Sequence, residues 1–252
     1  MRILLTNDDG YSAEGIKTLS EILSVSHDVY TIAPASERSA CSNAVTMRDH
    51  LEMKKISERV YSLSGFPADC VNVALHGKIL PEPDLVISGI NHGPNIGDDI
   101  HFSGTVAGAR TAFITGKTGI AVSLCGRISK NRFADCARYV LDFLAANGKN
   151  LVSKPHFINI NYPDCDSDQI KGAGICFLDK RHYIDRFICK EVDVDTRHIK
   201  LEGTVDSARI KGSDFDLVSG NIIALTPLLL DTTDYDIIKT GNGLIIPGPA
   251  VR

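Results

Sequence analysis

No run of apolar residues in the 252-residue chain approaches the roughly 20 needed to cross a bilayer, so no membrane-spanning helix is expected. The first residues lack the basic, apolar and small-residue succession of a secretory signal, and the expected location is the cytoplasm. Seven cysteines, odd in number and without a C-x-x-C pair, suit reduced thiols better than a disulfide framework or a zinc site. A formal net charge of -4 gives no broad attraction to nucleic acid or anionic membrane, which points to small substrates. No G-x-G-x-x-G opens a helix after the first strand, so a dinucleotide cofactor is unsupported. No G-x-S-x-G elbow supports an acyl-transfer serine. Gly116-Lys117-Thr118 resembles the end of a P-loop, but Thr111 stands where that motif needs glycine. Internal repeats and low-complexity linkers are absent too.

What the chain does have is a sharply cut opening. Ile3, Leu4 and Leu5 form a short apolar run broken by Thr6, Asn7, Asp8, Asp9 and Gly10, which reads as a buried parallel strand ending in a turn. Ligands of open α/β sheets bind at the carboxyl ends of the strands, which is where Asp8 and Asp9 stand. Two crowded carboxylates repel each other unless a cation or a proton intervenes. Asp-Asp-Gly also fits a plain loop that caps a helix, and residues 1–10 alone do not choose between the two.

Alternation of strand and helix continues. Ser12 is a candidate N-cap for a helix over 13–24, followed by a strand over 27–33 closed by Pro34, a βαβ unit. Residues 34–46 carry four hydroxyl side chains, an arginine and an asparagine directly after that strand. A hairpin is predicted over 47–64, a helix from Pro67 to about His76, and a strand over 84–87. That strand runs into a long loop, residues 88–105, in which Gly89, Gly93, Gly97 and Gly104 let backbone approach a ligand. A small-residue helix begins at Thr105, and its positive end would favour a phosphate near Ser103, Gly104 and Thr105. Further strands are expected at 120–124 and 156–160 around a helix over 131–147. The fold class is α/β, an open and mostly parallel sheet between helical layers. From about Pro163 the texture changes to charge-rich alternating segments, read as hairpins projecting from the body, before a strand returns at 222–225. We divide the chain into a core over 1–162 and an extension over 163–252 used for oligomerisation.

Asp8 and Asp9, Ser39 and Asn91 each sit just beyond a different predicted strand and can meet at one crevice. Carboxylate, hydroxyl and amide oxygens are hard ligands, suited to one Mg²⁺ or Mn²⁺. His92 and His101 are possible proton donors that also read as structural or exposed histidines, and Asp98-Asp99 reads as a turn or helix entry.

Several segments together resemble the SurE family of survival-protein nucleotidases. They are Ile3 to Gly10, Ala33-Pro34 to Glu37-Arg38-Ser39-Ala40, Phe66 to Val71, Ser88-Gly89-Ile90-Asn91 through Gly93, Asn95, Gly97 and Asp99, and Ser103-Gly104-Thr105-Val106. The resemblance runs in order through roughly the first 125 residues. It implies a Rossmann-like N-terminal region, a C-terminal extension exchanged between subunits, and a homodimer or homotetramer. It also implies a divalent-metal phosphohydrolase acting on nucleoside 5′- and 3′-monophosphates, with some activity on short polyphosphate. By motif position the metal ligands would be Asp8, Asp9, Ser39 and Asn91, with Asn43, Asn95, Ser103, Gly104 and Thr105 near the phosphate; in our own mechanistic reading, Asp8 or Asp9, where not fully occupied by the metal, accepts the proton of an attacking water. Two departures stand out: the helix reads Ala107-Gly-Ala-Arg110-Thr-Ala where the family usually carries a glutamate, and residues 231–252 lack the helical period of the family's last element. Neither nucleic acid nor membrane is an expected partner. One rival is a different enzyme on the same scaffold, a phosphodiesterase or a haloacid-dehalogenase-type phosphatase; the latter uses an aspartate nucleophile in D-x-D spacing that Asp8-Asp9-Gly10 does not offer. A metal-free nucleotide-binding module is the rival from another class, and it would bind nucleotide regardless of chelator.

Overall fold

The computed structural model describes residues 1–126, 129–207 and 209–240. Its first strand, β1 (Arg2–Thr6), is buried on both faces, as its unbroken apolar run requires. The chain continues through α1 (Glu14–Leu23), β2 (Asp28–Pro34), β3 (Met53–Lys55), β4 (Val60–Leu63), α2 (Pro67–His76) and β5 (Leu85–His92). Then come α3 (Gly104–Ile114), β6 (Thr118–Cys125), α4 (Lys130–Ser153), β7 (Phe157–Pro163) and β8 (Ala173–Ile175). Last are β9 (Arg181–Glu191), β10 (Arg197–Ser207), α5 (Asp214–Ser219), β11 (Ile223–Pro227) and α6 (Tyr235–Thr240).

These elements build a Rossmann-like α/β fold, with one mixed sheet in the order β3-β4-β2-β1-β5-β6-β7-β11-β8. From β4 to β7 neighbouring strands are parallel, while β11 joins β7 antiparallel and β3 joins β4 antiparallel. Helices α1 and α4 pack together over one face, where Ile16, Leu19, Phe133, Val140 and Leu144 meet Ile3, Leu5 and Ile87. Helices α2 and α3 cover the other, around Leu4, Ile32, Val71 and Val86. The chain leaves β1 toward β2 on one side and reaches β5 on the other, so the switch in strand order lies beside β1 and opens a crevice at its carboxyl end. Strands β9 and β10 form a separate antiparallel hairpin.

Several sequence expectations change. Ser12 does not cap α1; the cap position is Ala13, whose N–H donates to the Gly10 carbonyl, because the turn before it is already closed by Asn7. Helix α4 runs to Ser153, beyond 147, since Leu151 still packs into the core. The charge-rich extension holds one long hairpin and α5. Within 231–240 a short helix does form: the Asp234 carboxylate accepts the N–H groups of Asp236 (3.0 Å) and Ile237 (2.9 Å), a local cap that leaves no apolar periodicity to read. The remainder of that tail, 241–252, lies outside the described residues. Among the described residues no helix is long and apolar enough to cross a membrane.

Candidate active site

The turn after β1 is locked by Asn7, whose buried amide donates to the Gly10 carbonyl (3.0 Å) and accepts the Gly10 N–H (3.1 Å). That two-way bond bends the chain sharply and leaves Asp8 and Asp9 at the sheet's carboxyl edge. The Asp8 carbonyl accepts the Arg38 N–H (2.7 Å), which draws the segment after β2 over the turn and brings Ser39 with it. The same segment is tied to the entry of α3: Ser42 donates through its N–H to the Phe102 carbonyl (2.8 Å) and through its hydroxyl to the His101 carbonyl (2.7 Å).

Asn91 sits inside β5, not beyond it, because the strand resumes pairing with β6 after an irregularity between Ser88 and Asn91. Glycine is required at that step: Gly89 has φ +143°, and a Cβ there would lie 2.3 Å from the Val122 carbonyl oxygen. The Asn91 amide donates to the Gly93 carbonyl (3.0 Å), which leaves its side-chain oxygen for the crevice. The N-cap of α3 is Ser103, whose hydroxyl accepts the Val106 N–H (3.0 Å).

At the floor lies Asp8, almost wholly buried. It accepts the Thr105 hydroxyl and faces the N–H groups of Gly104 and Thr105 at the positive end of α3. This approach needs glycine: a Cβ on Gly104 would lie 2.7 Å from Asp8 Cβ and 2.7 Å from Cys41 Sγ. Burial nonetheless outweighs those donors and pushes the Asp8 carboxyl above its usual range. Asp9 is pushed up to about 6, first by burial and then by the charge of Asp8, against the opposing pull of His92. The His92 N–H points at Asp9 Oδ2 (3.4 Å), and His92 Nδ1 lies 3.7 Å from Asp9 Oδ1.

Asp8, Ser39, Asn91, Asn95 and Ser103 line one cavity of about 210 Å³ together with His92, Asp99, Phe102 and Tyr183. Asn95 is anchored by donating to Ser123 Oγ (2.8 Å) and to Asn161 Oδ1 through its N–H (3.0 Å). Asn43 lies off this lining, accepting the Thr111 hydroxyl on α3 at 3.5 Å. His101 is exposed and does not line the cavity, whereas His92 does. Asp99 belongs to the short 3-10 turn Gly97–His101, as a turn role predicts, but it also faces the cavity and bonds Arg181 Nη2 (3.1 Å) and the Tyr183 hydroxyl from β9.

Asn7, Phe102 and Tyr183 escape a reading of the sequence. An Asn-x-x-Gly at a strand end signals the first; nothing local signals Tyr183, which arrives from a hairpin 84 residues downstream of Asp99.

The donor set suits a hard divalent cation. Asp8, a carboxylate whose burial is not offset by its hydrogen bonds, lines the cavity with the neutral oxygens of Ser39 and Asn91 and with the His92 imidazole, while Asp9 stands beside His92. Among the described residues no group of three or more His, Cys, Asp or Glu side chains could hold a metal, so any ion here depends on those neutral oxygens.

Residues 3–185 match the model of the family described as Survival protein SurE. A 5'-nucleotidase SurE of Geotalea daltonii is 38% identical over 240 residues, covering 94% of this chain and 96% of that protein. A 5'-nucleotidase SurE of Clostridium botulinum is 37% identical over 254 residues, covering 98% and 100%. The crystal structure of the SurE protein from Aquifex aeolicus superposes with a TM-score of 0.80 at 33% identity, covering 95% of this chain and 97% of that one.

Proposed function

The chain belongs to the SurE family, and from that premise we propose that it is a 5′-nucleotidase, hydrolysing nucleoside monophosphates to nucleoside and phosphate. The reading extends to 3′-monophosphates and short polyphosphate as further substrates, to one Mg²⁺ or Mn²⁺ per subunit, and to a homodimer or homotetramer in the cytoplasm. The observation that carries it is Asp8, a carboxylate buried at the switch point and pressed against the start of α3, with a second carboxylate beside it and a polar cavity in front.

Asp8, Asp9, Ser39 and Asn91 would hold the cation. When bound, it supplies Lewis acidity and a nucleophilic water at neutral pH. The chain's own residues do the rest. Asn95 and Ser103 present an amide and a hydroxyl to the phosphate oxygens, and the first turn of α3, Gly104 and Thr105, turns its positive end toward the charge that spreads over them. Asn43 supports that helix through Thr111. Asp9 Oδ1, beside His92 Nδ1, is the position at which a proton leaves the attacking water. No serine or cysteine nucleophile is required, and burial keeps Cys41, the thiol against Gly104, pushed up to about 11 and so protonated.

Phosphate release from a panel of 5′- and 3′-monophosphates, with and without EDTA, tests the reading. Activity with 5′-monophosphates that EDTA abolishes and Mn²⁺ or Mg²⁺ restores is expected. Nucleotide binding without turnover, indifferent to chelator, would replace this reading by that of a binding module.

A further inference from the structure

The cavity changes character from floor to rim. Asp8, Asn91, Asn95 and Ser103 make the floor polar, yet two of the residues at its mouth are large rings left open to solvent, Phe102 at 60% and Tyr183 at 46% exposure. Its volume of about 210 Å³ falls below the 300–1,000 Å³ of sites that enclose a drug-sized ligand. A nucleoside monophosphate seated with its phosphate on the floor therefore leaves its base at the rim.

Both rings are held there by bonds unrelated to a core. Phe102 precedes the N-cap Ser103, and its carbonyl is fixed by the Ser42 N–H. Tyr183 comes from β9, and its hydroxyl donates to Asp99, which also pairs with Arg181 at 3.1 Å. The polar tip is thus spent inside the protein, and the ring face remains.

We propose that Phe102 and Tyr183 form the nucleobase subsite, a stacking rim that tells nucleoside monophosphates from phosphate esters without a base. The inference rests on the nucleotidase reading above. Stacking uses the π-face that every base shares, so the rim accepts purines and pyrimidines alike, and the hydrogen-bonding edge of the base goes unread.

The test compares kcat/KM for AMP with that for ribose 5-phosphate in the full-length protein and in Phe102→Ala, Phe102→Leu and Tyr183→Ala. The ratio of the two falls by about 5- to 150-fold on losing one stacking ring. Phe102→Leu keeps apolar bulk and still loses most of the preference. An equal fall for both substrates, or an unchanged ratio, overturns the subsite. If the unaltered protein hydrolyses AMP but not ribose 5-phosphate, KM for AMP is set against Ki for inorganic phosphate: a rise in KM alone supports the rim, and a parallel rise overturns it. If it hydrolyses no phosphomonoester, the nucleotidase reading itself has failed, and the rim falls with it.

Discussion

At the carboxyl end of β1 side chains tie the backbone together: Asn7 closes its own turn, Asp8 is met by Thr105, and Arg38 and Ser42 sew three loops together. The β9–β10 hairpin is the opposite case. Its backbone ladder is complete from Arg181–Ser207 to Glu191–Arg197, yet both of its faces stay open, and Val194 at its tip is 99% exposed. In one region side chains bind backbone; in the other the main-chain ladder is joined only by exposed pairs such as Arg197–Glu191 (3.2 Å) and Lys200–Glu202 (3.0 Å), and by the Tyr183 and Arg181 bonds at its base. Phe187, Ile199 and Leu201 on the hairpin find no cover among the described residues, which accords with the proposed oligomer. The two regions touch at one place, where Tyr183 and Arg181 reach Asp99.

The sharpest way to break this contrast is Asp8→Asn. Phosphate release should fall by about 10²- to 10³-fold or more. Thermal melts of the chelated protein should show no loss of stability at neutral pH, since burial already disfavours the charged form. Retained activity would remove Asp8 from the mechanism. Gly104→Ala comes next: its new Cβ, 2.7 Å from that of Asp8, should displace the carboxylate and lower turnover by about 10²-fold, read from the same assay.

Asp214 offers a third lever, on stability. Fully buried, it accepts the N–H groups of Gly97 (2.8 Å), Asp179 (2.8 Å) and Phe215 (2.9 Å). Asp214→Ala should cost about 2 kcal/mol or more in denaturant unfolding, because those donors lose their acceptor. Burial pushes the Asp214 carboxyl up. Its contribution is therefore full below the unfolded value near 3.9 and is lost as pH rises through the folded one. The Tm advantage of the unaltered protein over Asp214→Asn should be largest in acid and shrink toward neutrality. The smallest effect belongs to the hairpin tip, where Val194→Ser should change unfolding free energy by less than about 0.5 kcal/mol; a larger loss would mean that the tip is covered.

The parts legible in the sequence were those that rest on local pattern. The apolar run Ile3–Leu5 declares a doubly buried strand, Pro67 opens α2 where expected, and Asp8 just after β1 lines the crevice. What stayed hidden depends on distant partners. Asn91 lies within β5 because β6 pairs on both sides of the Gly89 irregularity, a matter of register. Which histidine faces the cavity follows from that same register, and His92 rather than His101 faces it. Tyr183 reaches the rim only because the hairpin docks on the Gly97–His101 turn.

The bond from Gly97 to Asp214 spans 117 positions of chain. During synthesis the glycine-rich loop is therefore translated long before Asp214, and until then Gly97 lacks a tie that Asn95 and Phe102 already have through Asn161 and Ser42. Order at this centre thus waits on a residue made more than a hundred positions after the loop it fastens.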